Sequence, residues 1–267
     1  MKIITNNSGQ QFKMGRRRPV ARCPRLSLGN YLLKALPTPP DMIDYSRLPA
    51  TFLSDILAND SLGDCTAAAA FHAGGTFLAN AGYPIPFTVD DVVRFYSATT
   101  GYVPGNDNTD NGGDEQTVLN YWVQNGLTPN LHKIAGWCHI DGNNKEECQT
   151  ALWLFENLYF GISLPDAWVH PMPESSNFIW DVAGAADTHN GHAFCGLSYK
   201  ENGVGIDTWG LMGTITWEAI AKYTNEGGGE LYTVLSSDMI DKAAAKAPNG
   251  FNYTQLQADL KFIEAFL

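Results

Sequence analysis

Residues 59–71 read NDSLGDCTAAAAF, and the place of Cys65 in this stretch decides how the rest of the chain is read. Gly63-Asp64 signals a turn. Residues 65–81, CTAAAAFHAGGTFLANA, form an Ala-rich apolar run that predicts a buried helix despite the Gly74-Gly75 pair. Cys65 thus stands at a helix N-terminus, where unpaired N–H groups and the helix dipole favour an anion, the setting of a reactive thiolate. Asp64 opposes this, because an adjacent carboxylate raises a thiol pKa.

A nucleophilic thiol needs a base, and the base needs an orienting group. Late in the chain Gly191-His192-Ala193 leads into an apolar strand, and fifteen residues beyond His192, Asp207 ends another strand before Thr208-Trp209-Gly210. Two adjacent antiparallel strands would set His192 and Asp207 side by side. Between these motifs and Cys65 the texture is helical first. Thr88 is an N-cap with two acids in the first turn of a helix over 88–98, a Gly/Asn/Asp loop follows, and a helix over about 115–125 ends at Asn125-Gly126. Residues 148–159 read as helix. After Phe160 come short strands, GISL, NFIWDV, HAFCGLSY, GVGIDTWG and LYTVLS. The last thirty residues return to helix in two pieces broken at Pro248-Asn249-Gly250. Helices first and strands later is an α+β pattern with segregated lobes.

The ordered set of motifs resembles the papain-like cysteine peptidase family, as a distant branch. NDSLGDCTAAAAF is similar to the segment around that family's nucleophile, GHAFCGLSY to its Gly-His-Ala strand, IDTWG to its Asn-Ser-Trp-Gly, and Asn111-Gly112-Gly113 to the Asn-Gly-Gly of its cleft wall. NGLTP, FGISLP and the opening IDYSR add to the likeness, which spans roughly residues 42–215 in the family's order. The resemblance implies a papain-like two-lobe α+β fold, with a helical lobe over about 44–150 carrying Cys65 and an antiparallel β lobe over about 151–235 carrying His192 and Asp207. Flanking them are a basic extended arm, 1–43, rich in Pro, Arg and Asn without a sustained period, and a C-terminal helical extension, 236–267.

It also implies roles. Cys65 attacks a peptide or isopeptide carbonyl to give an acyl-thioester, and His192 is the base. Asp207 orients the imidazole, Trp209 shields that bond, and Asn59 joins the Cys65 N–H in an oxyanion hole. Gly112, Gly113 and Ala193 bind the substrate. No cofactor is needed. Three departures stand out: Asn59 is shorter than the family's Gln, Asp207 replaces an Asn, and the disulfide cysteines are missing, with Asp110 directly before Asn111. They leave two rivals open, an acyl transferase with the same triad and a papain-fold structural or binding protein without turnover.

Bulk properties narrow the partners. The net charge is −11, yet residues 1–25 hold seven Lys/Arg and no acid, which leaves 10 basic against 28 acidic residues, −18, for the rest. An acidic body argues against nucleic-acid binding, and the arm is expected to contact either its own body or an anionic partner. No apolar run is long enough for a membrane span, and the N-terminus lacks the apolar segment of a signal peptide. A cytoplasmic or assembly-associated protein is therefore expected rather than a classically secreted one. Five cysteines, an odd and sparse set, do not read as a disulfide framework. Two metal patterns fail on inspection. His189-x-x-His192 with Asp187 lies at a strand, not on a helix face, and the loop 106–115 lacks the calcium-loop Gly and Glu.

Overall fold

The computed structural model describes residues 1–19, 25–246 and 250–264. Arg22, Cys23 and the Pro248-Asn249 break lie outside the described residues. The chain opens with β1 (Lys2–Thr5), β2 (Gln11–Met14), β3 (Leu26–Ser27), β4 (Ile43–Asp44) and a short α1 (Ala50–Leu53). Three helices follow, α2 (Cys65–Asn80), α3 (Val89–Thr100) and α4 (Glu115–Asn125). Next come β5 (Gly136–His139), α5 (Lys145–Phe155), β6 (Leu158–Pro165), β7 (Phe178–Trp180), β8 (Ala186–Lys200), β9 (Gly203–Thr208) and β10 (Leu211–Thr216). The chain closes with α6 (Trp217–Tyr223), β11 (Glu230–Leu235), α7 (Ser237–Lys246) and α8 (Tyr253–Glu264).

One nine-stranded sheet organises the body, in the order β3-β5-β11-β6-β8-β9-β10-β7, with β4 pairing β8 from off that path. The pairings are antiparallel apart from β3–β5 and β7–β10. The long strand β8 is central, so both of its faces are buried and its apolar run shows no period of two. Phe194 joins a core with α5, α6, α7 and α8 on one face. Cys195 and Leu197 join a second core with α1 to α4 on the other. This is the expected α+β division into lobes, with the helix that begins at Cys65 laid against the sheet.

Local chemistry fixes the helix ends. Thr88 and Asp91 form a reciprocal capping box at α3, and the Asp114 carboxylate accepts from the Thr117 N–H, starting α4 immediately after the cleft-wall glycines. Gly126 ends α4 at φ 81°, as the Asn-Gly signal predicts. The helix expected over 148–159 is shifted: α5 stops at Phe155, Glu156 adopts φ 65°, and residues 158–159 already belong to β6. Leu158 and Tyr159 carry no local mark of strand, and it is pairing with Gly196 and Cys195 that claims them.

The basic N-terminal segment differs from an extended arm. β1 and β2 pair as an antiparallel hairpin turned at Gly9, with Ile4, Phe12 and Met14 buried in the first core. Its cations meet acids of the body: Lys2 lies 3.3 Å from Asp166 and 3.4 Å from Asp187, and Lys13 lies 2.7 Å from buried Asp110. No helix among the described residues is long and apolar enough to cross a membrane.

Candidate active site

Cys65 opens α2 and is buried, packed beneath the chain that crosses the cleft. The backbone N–H groups of Ala193 and Gly15 point at its sulfur. His192, the neighbour of Ala193 on β8, is equally buried. Its Nε2 is 2.6 Å from the Thr208 hydroxyl, its ring stacks on Trp209 with centroids 4.2 Å apart, and its Nδ1 has no hydrogen-bond partner among the described residues. The imidazole is held at one nitrogen and free at the other.

Asp207 does not hold it. Cys195 and Asp207 are cross-strand partners, so both point to the face that packs on α2, while His192, three residues from Cys195, points to the opposite face. Thr208, one residue on from Asp207, comes round to the His192 side. The place expected for Asp207 is therefore taken by the next residue in the chain. Asp207 itself lies 2.5 Å, through Oδ2, from Nδ1 of His72, two helical turns along α2 from Cys65. Both are buried, and neither carboxylate oxygen accepts a well-aligned hydrogen bond among the described residues, so the His72 ring is the polar group set against this buried side chain. The pair ties the helix that begins at Cys65 to the strand beside the one that carries His192.

Asn59 is also committed elsewhere. An amide nitrogen has two hydrogens to give, and those of Asn59 face the Leu62 carbonyl at 3.4 Å and the Asp64 carboxylate at 3.1 Å. In this conformation the side chain has no donor left for an oxyanion. What remains is the start of α2, whose first N–H groups have no partner within the helix.

Residues 15–17 of the N-terminal segment lie against Gly113, next to Gly112. The Gly113 N–H donates to the Gly15 carbonyl (2.9 Å), the Arg17 N–H to the Gly113 carbonyl (2.8 Å), and the Arg16 N–H to the Gly191 carbonyl (3.1 Å). Arg16 and Gly113 form a parallel bridge. The approach is so close that side chains are excluded: a Cβ on Gly15 would fall 1.9 Å from the Gly63 carbonyl oxygen, and one on Gly191 would fall 2.3 Å from that of Arg16. The wall is fixed from behind by Asp110. Its carboxylate accepts from the Tyr96 hydroxyl (2.6 Å) and the Gly63 N–H (3.1 Å), and Tyr96 in turn accepts from the Gly112 N–H (2.9 Å). Asp110 stands where a family disulfide cysteine was missed, and the four described cysteines are free and buried.

Arg16 turns its side chain inward. Its Nε donates to Glu115 at 2.7 Å, and its Nη2 donates to the Gly228 carbonyl at 2.8 Å and faces Glu230 at 3.5 Å. Nothing in the sequence marked this contact beyond the charge contrast between arm and body.

Burial sets the electrostatics. It pushes the Cys65 thiol up to about 12, with Asp64 and Glu115 adding to the effect and the Ala193 and Gly15 N–H groups opposing it. It holds the His192 imidazole down to about 3. Burial also raises Asp64 well above the usual carboxylate range. With the arm in place, thiol and imidazole are both neutral, not the ion pair that a helix N-terminus alone suggests.

The chain has the fold of the papain-like cysteine proteases. Xylellain, a cysteine protease from Xylella fastidiosa, matches 88% of this chain and 98% of its own at 13% identity and a TM-score of 0.60. The digestive procathepsin L2 proteinase of Tenebrio molitor larval midgut matches 84% and 78% at 15% identity, TM-score 0.57. The ragweed pollen cysteine protease Amb a 11, in its proform, matches 82% and 72% at 14% identity, TM-score 0.56. No family model matches the sequence, and no curated protein matches it.

Proposed function

We propose that this chain is a cysteine peptidase in a latent state, cleaving peptide or isopeptide bonds of polypeptides once its own N-terminal arm leaves the cleft. One observation carries the reading. The Cys65 sulfur lies under the N–H next to His192, whose Nδ1 is buried and unpartnered while Nε2 is held by Thr208. This supports the reading, because a thiol–imidazole pair needs one ring nitrogen fixed and the other kept for the proton. Cys65 would attack the carbonyl, His192 would take the thiol proton and pass it to the leaving amine, and water would release the acyl group. Thr208 would position the imidazole in place of Asp207, and Trp209 would keep water from that bond. The helix N-terminus would face the oxyanion.

The arm explains why the pair is neutral. Its parallel bridge to Gly113 seals the site from water, and that burial outweighs the Gly15 N–H, which by itself would favour the thiolate. Removing the arm would admit solvent, lowering the thiol pKa and raising that of the imidazole. The charge contrast between residues 1–25, with seven Lys/Arg, and the −18 of the rest supplies the attraction that closes it.

A second reading has specific support. Asn59 spends both amide hydrogens on Leu62 and Asp64, and the thiol is high, as in a papain-fold binding or structural protein without turnover. Charge reversal at Arg16 separates the two. Arg16→Glu places an acid against Glu115 and Glu230 and should expel the arm. The expected result is hydrolysis of unstructured polypeptide that disappears in Arg16→Glu/Cys65→Ala. Rapid alkylation of Cys65 without any hydrolysis would establish the non-catalytic reading instead.

A further inference from the structure

The pocket that holds Arg16 has no part in the chemistry just described, yet it is built with care. Its floor is Glu115, fully buried at the first turn of α4. Gly161 of β6 makes room for it, since a Cβ there would fall 1.7 Å from Glu115 Oε1. Gln116 donates to Glu230 Oε1 (3.2 Å) and to the Tyr232 hydroxyl (3.0 Å), fixing the far wall, and the Gly228 carbonyl closes the rim. Arg16 enters from the strand that pairs with Gly113, the cleft wall. Its guanidinium does not exhaust the pocket: Glu115 Oε2 and Gln116 Oε1 are buried acceptors without a partner among the described residues. A carboxylate in such a place is costly unless a cation shares it. Burial already raises Glu115 to about 7, against the pull of Arg16.

We propose that this pocket is the specificity pocket of the cleft, and that a substrate enters it with an arginine side chain when Arg16 withdraws. The proposal rests on the peptidase reading and names its substrate class: polypeptides with Arg at the residue that pairs with Gly113. The pocket's acceptors, two carboxylates and a carbonyl that contact Nε and Nη2 of Arg16, suit the guanidinium fork better than the point charge of lysine. The arm's own arginine then acts as an intramolecular competitor. Its proximity gives it a high effective concentration, so a free peptide gains access only when the arm is weakened or removed.

The test uses the full chain carrying Arg16→Ala, which empties the pocket, with Cys65→Ser to stop turnover. Fluorescent hexapeptides that differ only in one residue, arginine or its neutral isostere citrulline, are titrated by anisotropy. Charge-assisted bonds to a buried carboxylate predict that the arginine peptide binds about 10- to 100-fold tighter. That preference should vanish when Glu115→Gln and Glu230→Gln are added. Equal affinities, a preference that survives the two Gln substitutions, or no saturable binding of either peptide would each overturn the proposal. The same peptides with Arg16→Ala/Cys65 intact separate this from the peptidase reading. Hydrolysis without arginine preference sinks the pocket alone, whereas arginine-selective binding without hydrolysis sinks the enzyme alone.

Discussion

Gly15→Ala is the smallest change that should open the cleft. The added methyl would sit 1.9 Å from the Gly63 carbonyl oxygen and 2.3 Å from its carbon, both rigid backbone atoms fixed by the Asp110 bond to the Gly63 N–H. Ordinary contact needs more than 3 Å, so residues 15–17 must lift away. Three backbone hydrogen bonds go with them: Gly113 N–H to Gly15, Arg17 N–H to Gly113, and Arg16 N–H to Gly191. At about 1 kcal/mol net apiece, the docked state loses about 3 kcal/mol. That is roughly a hundredfold shift toward the open form at 1.4 kcal/mol per decade. The hairpin should stay attached, because Ile4, Phe12 and Met14 remain in the core. The assay is iodoacetamide alkylation with site mapping, alongside amide hydrogen exchange at Gly113. In the native chain Cys65 should label slowly, since burial keeps its thiol near 12. In Gly15→Ala its labelling should rise about a hundredfold, matched by faster exchange at Gly113. If Cys65 labels at the native rate in the mutant, or opens while Gly113 stays protected, the arm is not what seals the thiol.

Other expectations follow from the same contacts. Thr208→Val in the Gly15→Ala background removes one neutral hydrogen bond to His192, and turnover of an unstructured polypeptide should fall about fivefold, the kinetic worth of about 1 kcal/mol. Asp207→Ala breaks the pair with His72, and urea unfolding should show a loss of about 3 kcal/mol, while the pKa of His192 is left in place. Stability should also fall in acid. His192 is neutral in the fold down to about pH 3 but protonates near 6.5 when unfolded, so its contribution is present above 6.5 and is lost as pH drops from there toward 3. Comparing unfolding free energy against pH in native chain and His192→Gln should show a shallower acid slope in the variant. Parallel slopes would assign the acid loss to other groups.

The positions of Cys65 at a helix start, His192 on a buried strand and Gly112-Gly113 before a capped helix were legible because each needs a residue type in a short local setting: a Gly turn, the Gly191-Ala193 flanks, and Asp114 as cap. The orienting residue was not. Whether Asp207 or Thr208 reaches His192 depends on which face each presents, and that follows from a register set by distant pairing, with an irregularity between Gly196 and Ser198. His72 was hidden for the same reason, as one more residue in an apolar helix. The hairpin had its marks, an Asn/Ser/Gly turn at 6–9 between KIIT and QFKM, but residues 1–43 as a whole are rich in Pro, Arg and Asn without a sustained period, the texture of an extended arm. The path of residues 15–17 has no local signature at all. It depends on glycines at 63, 112 and 191, far apart in sequence, leaving one channel for a backbone.

Asp110 has a consequence beyond holding Gly63 and Tyr96. A covalent clip between the cleft wall and the nucleophile's turn would be set by the redox potential around it, and a reductant would slacken the cleft. Here the clip is a carboxylate shared by a phenol, a backbone amide and an ammonium from the arm. Electron donors leave it untouched, so the cleft should keep its shape in thiol-rich and oxidising surroundings alike. It is also asymmetric in time. The phenol and the amide are permanent members, but Lys13 arrives with the arm, so each opening event removes a counter-ion from the same carboxylate that keeps the wall in register.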